Sequence, residues 1–359
     1  MTERERKLIK ALCEANAPSG FEDETARIAR EALKDVCDVE EDHLRNLILR
    51  RRKNTGDKPV LMLDAHSDEV GFMVHSIRPN GTLRVVPLGG WNRLTLPGAS
   101  VSVRSRNGEW IPGVIAAKPP HFMSAAEKER GGVPEIRDLA IDIGARSAEE
   151  AETVFGIRIG EPVVPRTAFL HDGANGLYFG KAFDCRIGCA ALIEVMRRIA
   201  DEDLDVDVVG ALSAQEEVGE RGCKVAVNRI RPDAAIVFEG CPADDTFGEP
   251  YAMQTKLRRG PMIRFMDVSV ICNPRFVRCA LDLAEQKSIP AQASVREGGG
   301  NDAAVIQSQL FGAPAIVLGV PVRYIHTPAC IAAEQDYEAT VALALALIRS
   351  LNESVIKSF

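Results

Sequence analysis

Residues 60–63, Val-Leu-Met-Leu, are apolar at every position, the pattern of a strand buried on both faces rather than one alternating between core and solvent. Such a strand needs covering layers on both sides, which points to an α/β architecture. The texture recurs at 206–214, 234–239, 262–265 and 315–319. Between these segments, 188–200, 274–287, 302–309 and 336–351 carry the spacing of helices. The start reads as helices over 3–16 and 22–35, split by the turn Ala17-Pro18-Ser19-Gly20. Short strands follow at 36–39 and 47–49, then the buried strand at 59–65.

From Gly71 to about Pro165 the pattern changes. Short alternating segments at 82–87, 100–104, 110–116 and 140–143 are punctuated by Asn80-Gly81, Gly89-Gly90, Pro97-Gly98 and Asn107-Gly108. That rhythm favours a small β-barrel or sandwich over βαβ units. Ser147 stands where it would cap a short helix. The expected organisation is a discontinuous α/β domain, 1–70 plus 165–359, interrupted by a β domain over 71–164.

Several classes of function are disfavoured. The net charge is −7 over 359 residues, with both signs interspersed, and leaves no footprint for nucleic acid or an anionic membrane. No 18-residue apolar window and no export-type leader are visible, so a cytoplasmic protein is expected. Nine cysteines without a CxxC pair fit a reducing compartment.

The chemistry lies where the apolar strands end. The first runs into Asp64, His66, Asp68 and Glu69; others meet Asp184, Glu216-Glu217, Glu239 and His326. In open α/β sheets, ligands bind at the carboxyl ends of strands. Any one of these residues alone is better read as a turn, a cap or a solvated strand end. Five such coincidences call for a shared explanation. Two imidazoles with several carboxylates and no cysteine pattern form an N/O donor set suited to Zn²⁺, Co²⁺ or Mn²⁺. The donors exceed what one ion needs, which argues for two ions sharing a carboxylate. The pair Glu216-Glu217 fits a hydrolytic centre, one carboxylate as ligand and the other free to move a proton. Adjacent residues of a regular strand face opposite ways, so the pair serves one site only where the strand breaks, as Val218-Gly219 suggests.

These motifs resemble the M42 family of metallo-aminopeptidases, the glutamyl and tetrahedral aminopeptidase group. The resemblance is carried by AHSDEVGFMV (65–74), KPPH (118–121), DLAIDIGARSAEEAE (138–152), GKAFDCRIGCA (180–190), QEEVGERG (215–222), NDAAVIQ (301–307) and RYIHTP (323–328). It implies a zinc-peptidase α/β sandwich with an inserted small β-barrel, used in oligomerisation and substrate access. It also implies two divalent ions, zinc or cobalt, peptide substrates with a free N-terminus, and assembly into homo-oligomers such as a tetrahedral dodecamer. By the same resemblance His66, Asp184 and Glu239 would hold one ion, and Asp184, Glu217 and His326 the other. Glu216 would be the general base and Asp68 would orient His66. The chain departs from the family pattern at Cys185, Glu239 and Asn301.

Two other readings compete. Some relatives carry an endoglucanase label, but glycoside hydrolysis needs two carboxylates about 5–9.5 Å apart across the bond, and Glu216 and Glu217 are neighbours. A non-catalytic relative that has kept only the scaffold is the other; the intact set of candidate ligands and base weighs against it.

Overall fold

The computed structural model describes residues 1–125 and 133–359. The chain divides into two bodies. The first comprises Met1–Glu69, Phe169–Ile325 and Cys330–Phe359; the second comprises Val70–Ala168 and His326–Ala329. The return to the first body thus falls at Phe169, four residues later than the sequence suggests, and a four-residue stretch near the C-terminus goes with the second.

The first body is built on an 11-stranded mixed sheet. Its centre is four parallel neighbours in the order Asp207–Ser213, Val60–His66, Ala234–Pro242 and Ala315–Arg323. All are nearly or wholly buried, as their unbroken apolar runs require. Antiparallel strands flank them, Cys37–Glu41 and Leu47–Arg51 on one side, Cys330–Ala333, Leu177–Gly180 and Leu170–Asp172 on the other. Register decides what meets at the strand ends. Ser213 lies opposite His66, and Val237 lies opposite Asp64, which brings Glu239 to the same edge.

The helix Phe183–Arg198 is buried along almost its whole length and packs on the central strands. It begins earlier than the 188–200 pattern indicates, although Asp184 (ψ 108°) and Cys185 (φ −112°, ψ 33°) depart from helical geometry. Glu3–Glu14 is fixed by a capping box: the Thr2 hydroxyl accepts from the Glu5 N–H at 3.3 Å, and the Glu5 carboxylate accepts from the Thr2 N–H at 2.6 Å. The sequence reading missed the helix Arg221–Ile230, although Cys223, Ala226, Val227 and Ile230 form its buried face. It also missed Glu353–Ser358 and five short strands, Pro162–Pro165, Leu170–Asp172, Leu177–Gly180, Gln292–Val295 and Cys330–Ala333, which are too brief for periodicity to register.

In the second body six strands pair in the order Gly71–Ile77, Leu83–Leu88, Ile141–Asp142, Trp110–Ile115, Ser100–Arg104 and Pro162–Pro165, and the last pairs back to the first. Phe72, Val74, Leu83, Val101, Val103, Ile141 and Val163 fill its core. Phe72 also stacks on Trp91 with centroids 4.8 Å apart. Ser147 caps Ala148–Thr153 by accepting the Glu150 N–H at 3.1 Å. Among the described residues no helix is long and apolar enough to cross a membrane.

Candidate metal centre

Four segments of the first body converge at the carboxyl end of the central strands. Val60–His66 delivers His66, which is 2 % exposed. Phe183–Arg198 delivers Asp184 and Cys185 from its irregular first turn. Ala234–Pro242 delivers Glu239, followed by Gly240, where a Cβ would sit 2.4 Å from the Phe183 carbonyl oxygen. Only glycine lets the two backbones approach that closely. The fourth segment carries Glu216 and Glu217, which lie past the end of Asp207–Ser213.

The expected break after the carboxylates is present, with Gly219 at φ 117°, but the strand already ends before them, where Gln215 bends (φ 56°). A non-glycine residue in that region is held there by its surroundings. Here the Gln215 N–H donates to the buried Glu22 carboxylate at 3.2 Å. Ala182 (φ 57°) marks a second such bend, two residues before Asp184.

His66 Nε2 stands 3.0 Å from Asp184 Oδ1, 3.7 Å from Glu239 Oε2 and 3.9 Å from Glu216 Oε2. One ligand atom from each of His66, Asp184, Cys185 and Glu239 lies within 4.8 Å of the others. The Cys185 thiol donates to the Phe238 carbonyl at 3.1 Å. The sulfur fits because residue 188 is glycine, where a Cβ would fall 2.4 Å from it.

Asp68 does more than the sequence suggests. Its Oδ1 is 3.4 Å from His66 Nδ1, so it faces the far side of the imidazole. It also accepts the backbone N–H groups of both Glu216 (3.0 Å) and Glu217 (3.2 Å), and the Ser19 hydroxyl at 2.6 Å. One buried carboxylate therefore ties the His66 strand to the two glutamates. Ser19 and Glu22 were missed as parts of this assembly, since Ala17-Pro18-Ser19-Gly20 reads only as a turn. Glu69 is structural: Lys181 Nζ lies 2.6 and 2.8 Å from its two oxygens, both side chains being buried. Arg186 donates to the carbonyls of Leu12 (2.7 Å) and Ala17 (2.9 Å) and lies 3.5 Å from Glu69 Oε1.

The charges explain what the cluster wants. Burial pushes the Glu239 carboxyl up to about 8; Asp184 and Asp302 add to the rise, against the opposing pull of His66 and Arg264. Burial likewise holds Glu216 well above the usual carboxylate range, against His66 but with Asp302, Glu239 and Glu217 reinforcing it. For His66, burial favours the neutral ring, yet Cys185, Glu216, Asp184 and Asp68 outweigh it and hold its pKa well above the ordinary value. Asp68 remains below its ordinary value despite burial, because His66, Ser19 and the Glu216 N–H stabilise its charge. A largely buried pocket this rich in carboxylates is short of positive charge, and its imidazole and carboxylate donors suit a divalent ion. His326, the remaining candidate ligand, belongs to the second body, where its carbonyl accepts the Asn92 N–H at 3.1 Å.

Fold and donor set together define a metal-dependent hydrolase on an α/β scaffold. Comparison with known proteins narrows this. The family model described as M42 glutamyl aminopeptidase matches residues 46–343. A glutamyl aminopeptidase of Lactococcus lactis is 34% identical over 96% of this chain and 96% of its own. The crystal structure of a TET aminopeptidase from a marine-sediment Thaumarchaeota archaeon superposes with a TM-score of 0.93 at 36% identity, covering 99% of both chains. The TET1 peptidase of Pyrococcus horikoshii, described as assembling into a tetrahedron or a large octahedral shell, gives 0.86 at 30% identity, over 97% of this chain and 100% of the other. The chain belongs to the M42 family, and with it to the metal-dependent aminopeptidases.

Proposed function

We propose that the protein removes N-terminal residues from peptides with two divalent ions, zinc or cobalt, and Glu216 as general base. The observation that carries this reading is the placement of Glu216. Its N–H is anchored on Asp68, and its carboxylate lies 3.9 Å from the ring of His66 without being part of the His66–Asp184–Glu239 set. His66, Asp184 and Glu239 would hold one ion; Asp184, Glu217 and His326 would hold the other, with Asp184 shared. When bound, the ions supply Lewis acidity toward the scissile carbonyl and acidify the attacking water.

The chain's own groups do the rest. Glu216 takes a proton from the water and later gives it to the leaving amine. Burial raises its pKa above the ordinary carboxylate value, which makes it a better proton acceptor. Asp68 faces Nδ1 of His66, leaving Nε2 turned toward Asp184 and Glu239. The closed ring of strands in the second body is read as the small β-barrel that governs oligomerisation and substrate access, and the relatives' shells support a homo-oligomer, tested by light scattering. Free thiols throughout the described chain support a reducing, cytoplasmic setting.

The test is metal content together with turnover on aminoacyl amides and peptides with free N-termini. Acetylating the N-terminus should abolish cleavage. Less than about one bound ion per subunit after zinc or cobalt loading, with no turnover, would overturn the proposal.

A further inference from the structure

Asp64 precedes His66 by two residues on the same strand, so it projects from the same face one step deeper in the fold. There it meets Asp302, just before the helix Ala303–Ser308, and Cys223 of Arg221–Ile230. Asp64 and Cys223 are 0 % exposed and Asp302 is 1 % exposed. One donor atom from each lies within 4.8 Å of the others. Among the described residues, two of the buried oxygens, Oδ1 of Asp64 and Oδ1 of Asp302, have no hydrogen-bond partner. Their other oxygens face a shared hydroxyl: Ser213 Oγ is 2.6 Å from Asp302 Oδ2 and 3.4 Å from Asp64 Oδ2. The Cys223 thiol donates a long hydrogen bond, 3.7 Å, to the Asp302 carbonyl oxygen.

Two carboxylates buried side by side need something positive between them, either a proton or a cation. A shared proton would satisfy one oxygen pair and leave Cys223 as a small buried apolar group, whereas a cation would use all three donors. From this geometry we infer that Asp64, Cys223 and Asp302, assisted by the Ser213 hydroxyl, form a further cation site beneath the catalytic centre. Two carboxylates, a hydroxyl and a thiolate make a mixed O/S set that suits a borderline-soft divalent ion such as zinc or cobalt. Binding displaces the Cys223 proton, and any proton on the carboxyl pair, into solvent. With all three side chains closed off from water, the ion would be structural. It would pin the Val60–His66 strand to the two helices and so fix the height at which His66 is presented.

The experiment loads the full chain with Co²⁺, removes free ion, and measures metal content and the near-ultraviolet spectrum. Expected are about three ions per subunit and a thiolate-to-cobalt charge-transfer band. Cys223→Ser should abolish the band, Cys185→Ser should keep it, and Asp302→Asn should lower the content by about one ion. The spectrum of Cys223→Ser, a near-isosteric change, decides the matter if Asp302→Asn fails to fold. About two ions, unchanged in Asp302→Asn, with no band, overturns the site and leaves the carboxyl pair sharing a proton. A band lost in Cys185→Ser rather than Cys223→Ser overturns it too. Those outcomes leave the two-ion aminopeptidase reading standing, whereas a chain that binds no ion refutes both.

Discussion

Replacing Asp68 by asparagine tests the claim that one carboxylate organises the centre. Asp68 accepts the Glu216 N–H on Oδ1, and the Glu217 N–H and the Ser19 hydroxyl on Oδ2. Asparagine keeps the shape but turns one acceptor into a donor. Whichever way the amide sits, one backbone N–H then faces an NH₂ group in a fully buried site, at a cost of about 1–3 kcal/mol. The surviving bonds lose their charge assistance, about 1 kcal/mol more. Asp68→Asn should therefore lower the unfolding free energy of the metal-free chain by about 2–4 kcal/mol in urea titration. It should cut metal affinity or turnover roughly 10- to 100-fold, because His66 and Glu216 lose their common anchor. The pH dependence carries a sign. The folded-state pKa of Asp68 lies below the ordinary 3.8, so its stabilisation is present above that value and declines as pH falls below it. The gap between wild type and variant should narrow in the same direction. A variant within about 0.5 kcal/mol of wild type at neutral pH, with unchanged turnover, would refute the reasoning.

Other perturbations separate catalysis from scaffold. Glu216→Gln should retain the wild-type metal content and lose turnover by at least roughly 100-fold, read from atomic analysis and steady-state kinetics side by side. Lys181→Met should destabilise by about 3–5 kcal/mol in chemical denaturation, because Glu69 stays buried without its main counter-charge. Adding Glu69→Gln should restore part of that loss; a single variant as stable as wild type would show the pair to be dispensable. Asp336 accepts the N–H groups of Arg258 (2.6 Å) and Gly260 (2.7 Å), yet burial lifts its pKa from 3.8 to about 6. The folded chain therefore holds that proton longer than the unfolded one, and the stability it confers is lost as pH rises from 3.8 through about 6. Relative to Asp336→Asn, the wild type should lose about 3 kcal/mol across that interval in urea midpoints, and parallel curves would contradict the assignment.

The sequence by itself determined the α/β character, because apolar runs such as Val60–Leu63 recur between helical patterns, and helices on both faces of a sheet bury them. It also offered candidate metal-holding residue types, since His66, Glu217 and Glu239 stand at or just past the ends of those runs. Arg221–Ile230 was legible in principle, its buried residues falling at helical spacing. What had no linear signature was convergence. Asp68 reads as a neighbour of His66, yet its strongest bonds go to Glu216, Glu217 and Ser19, joined only by a parallel register that sets Ser213 beside His66. The bend that aims the glutamates lies at Gln215, a residue with no intrinsic preference for φ 56°, and a long-range bond to Glu22 helps to hold it. Asp64, Cys223 and Asp302 are scattered through the chain, and only packing brings them together. Local pattern follows from side-chain chemistry residue by residue. A site depends on which strand ends are level with one another, and hydrogen-bond register settles that only once the sheet has formed.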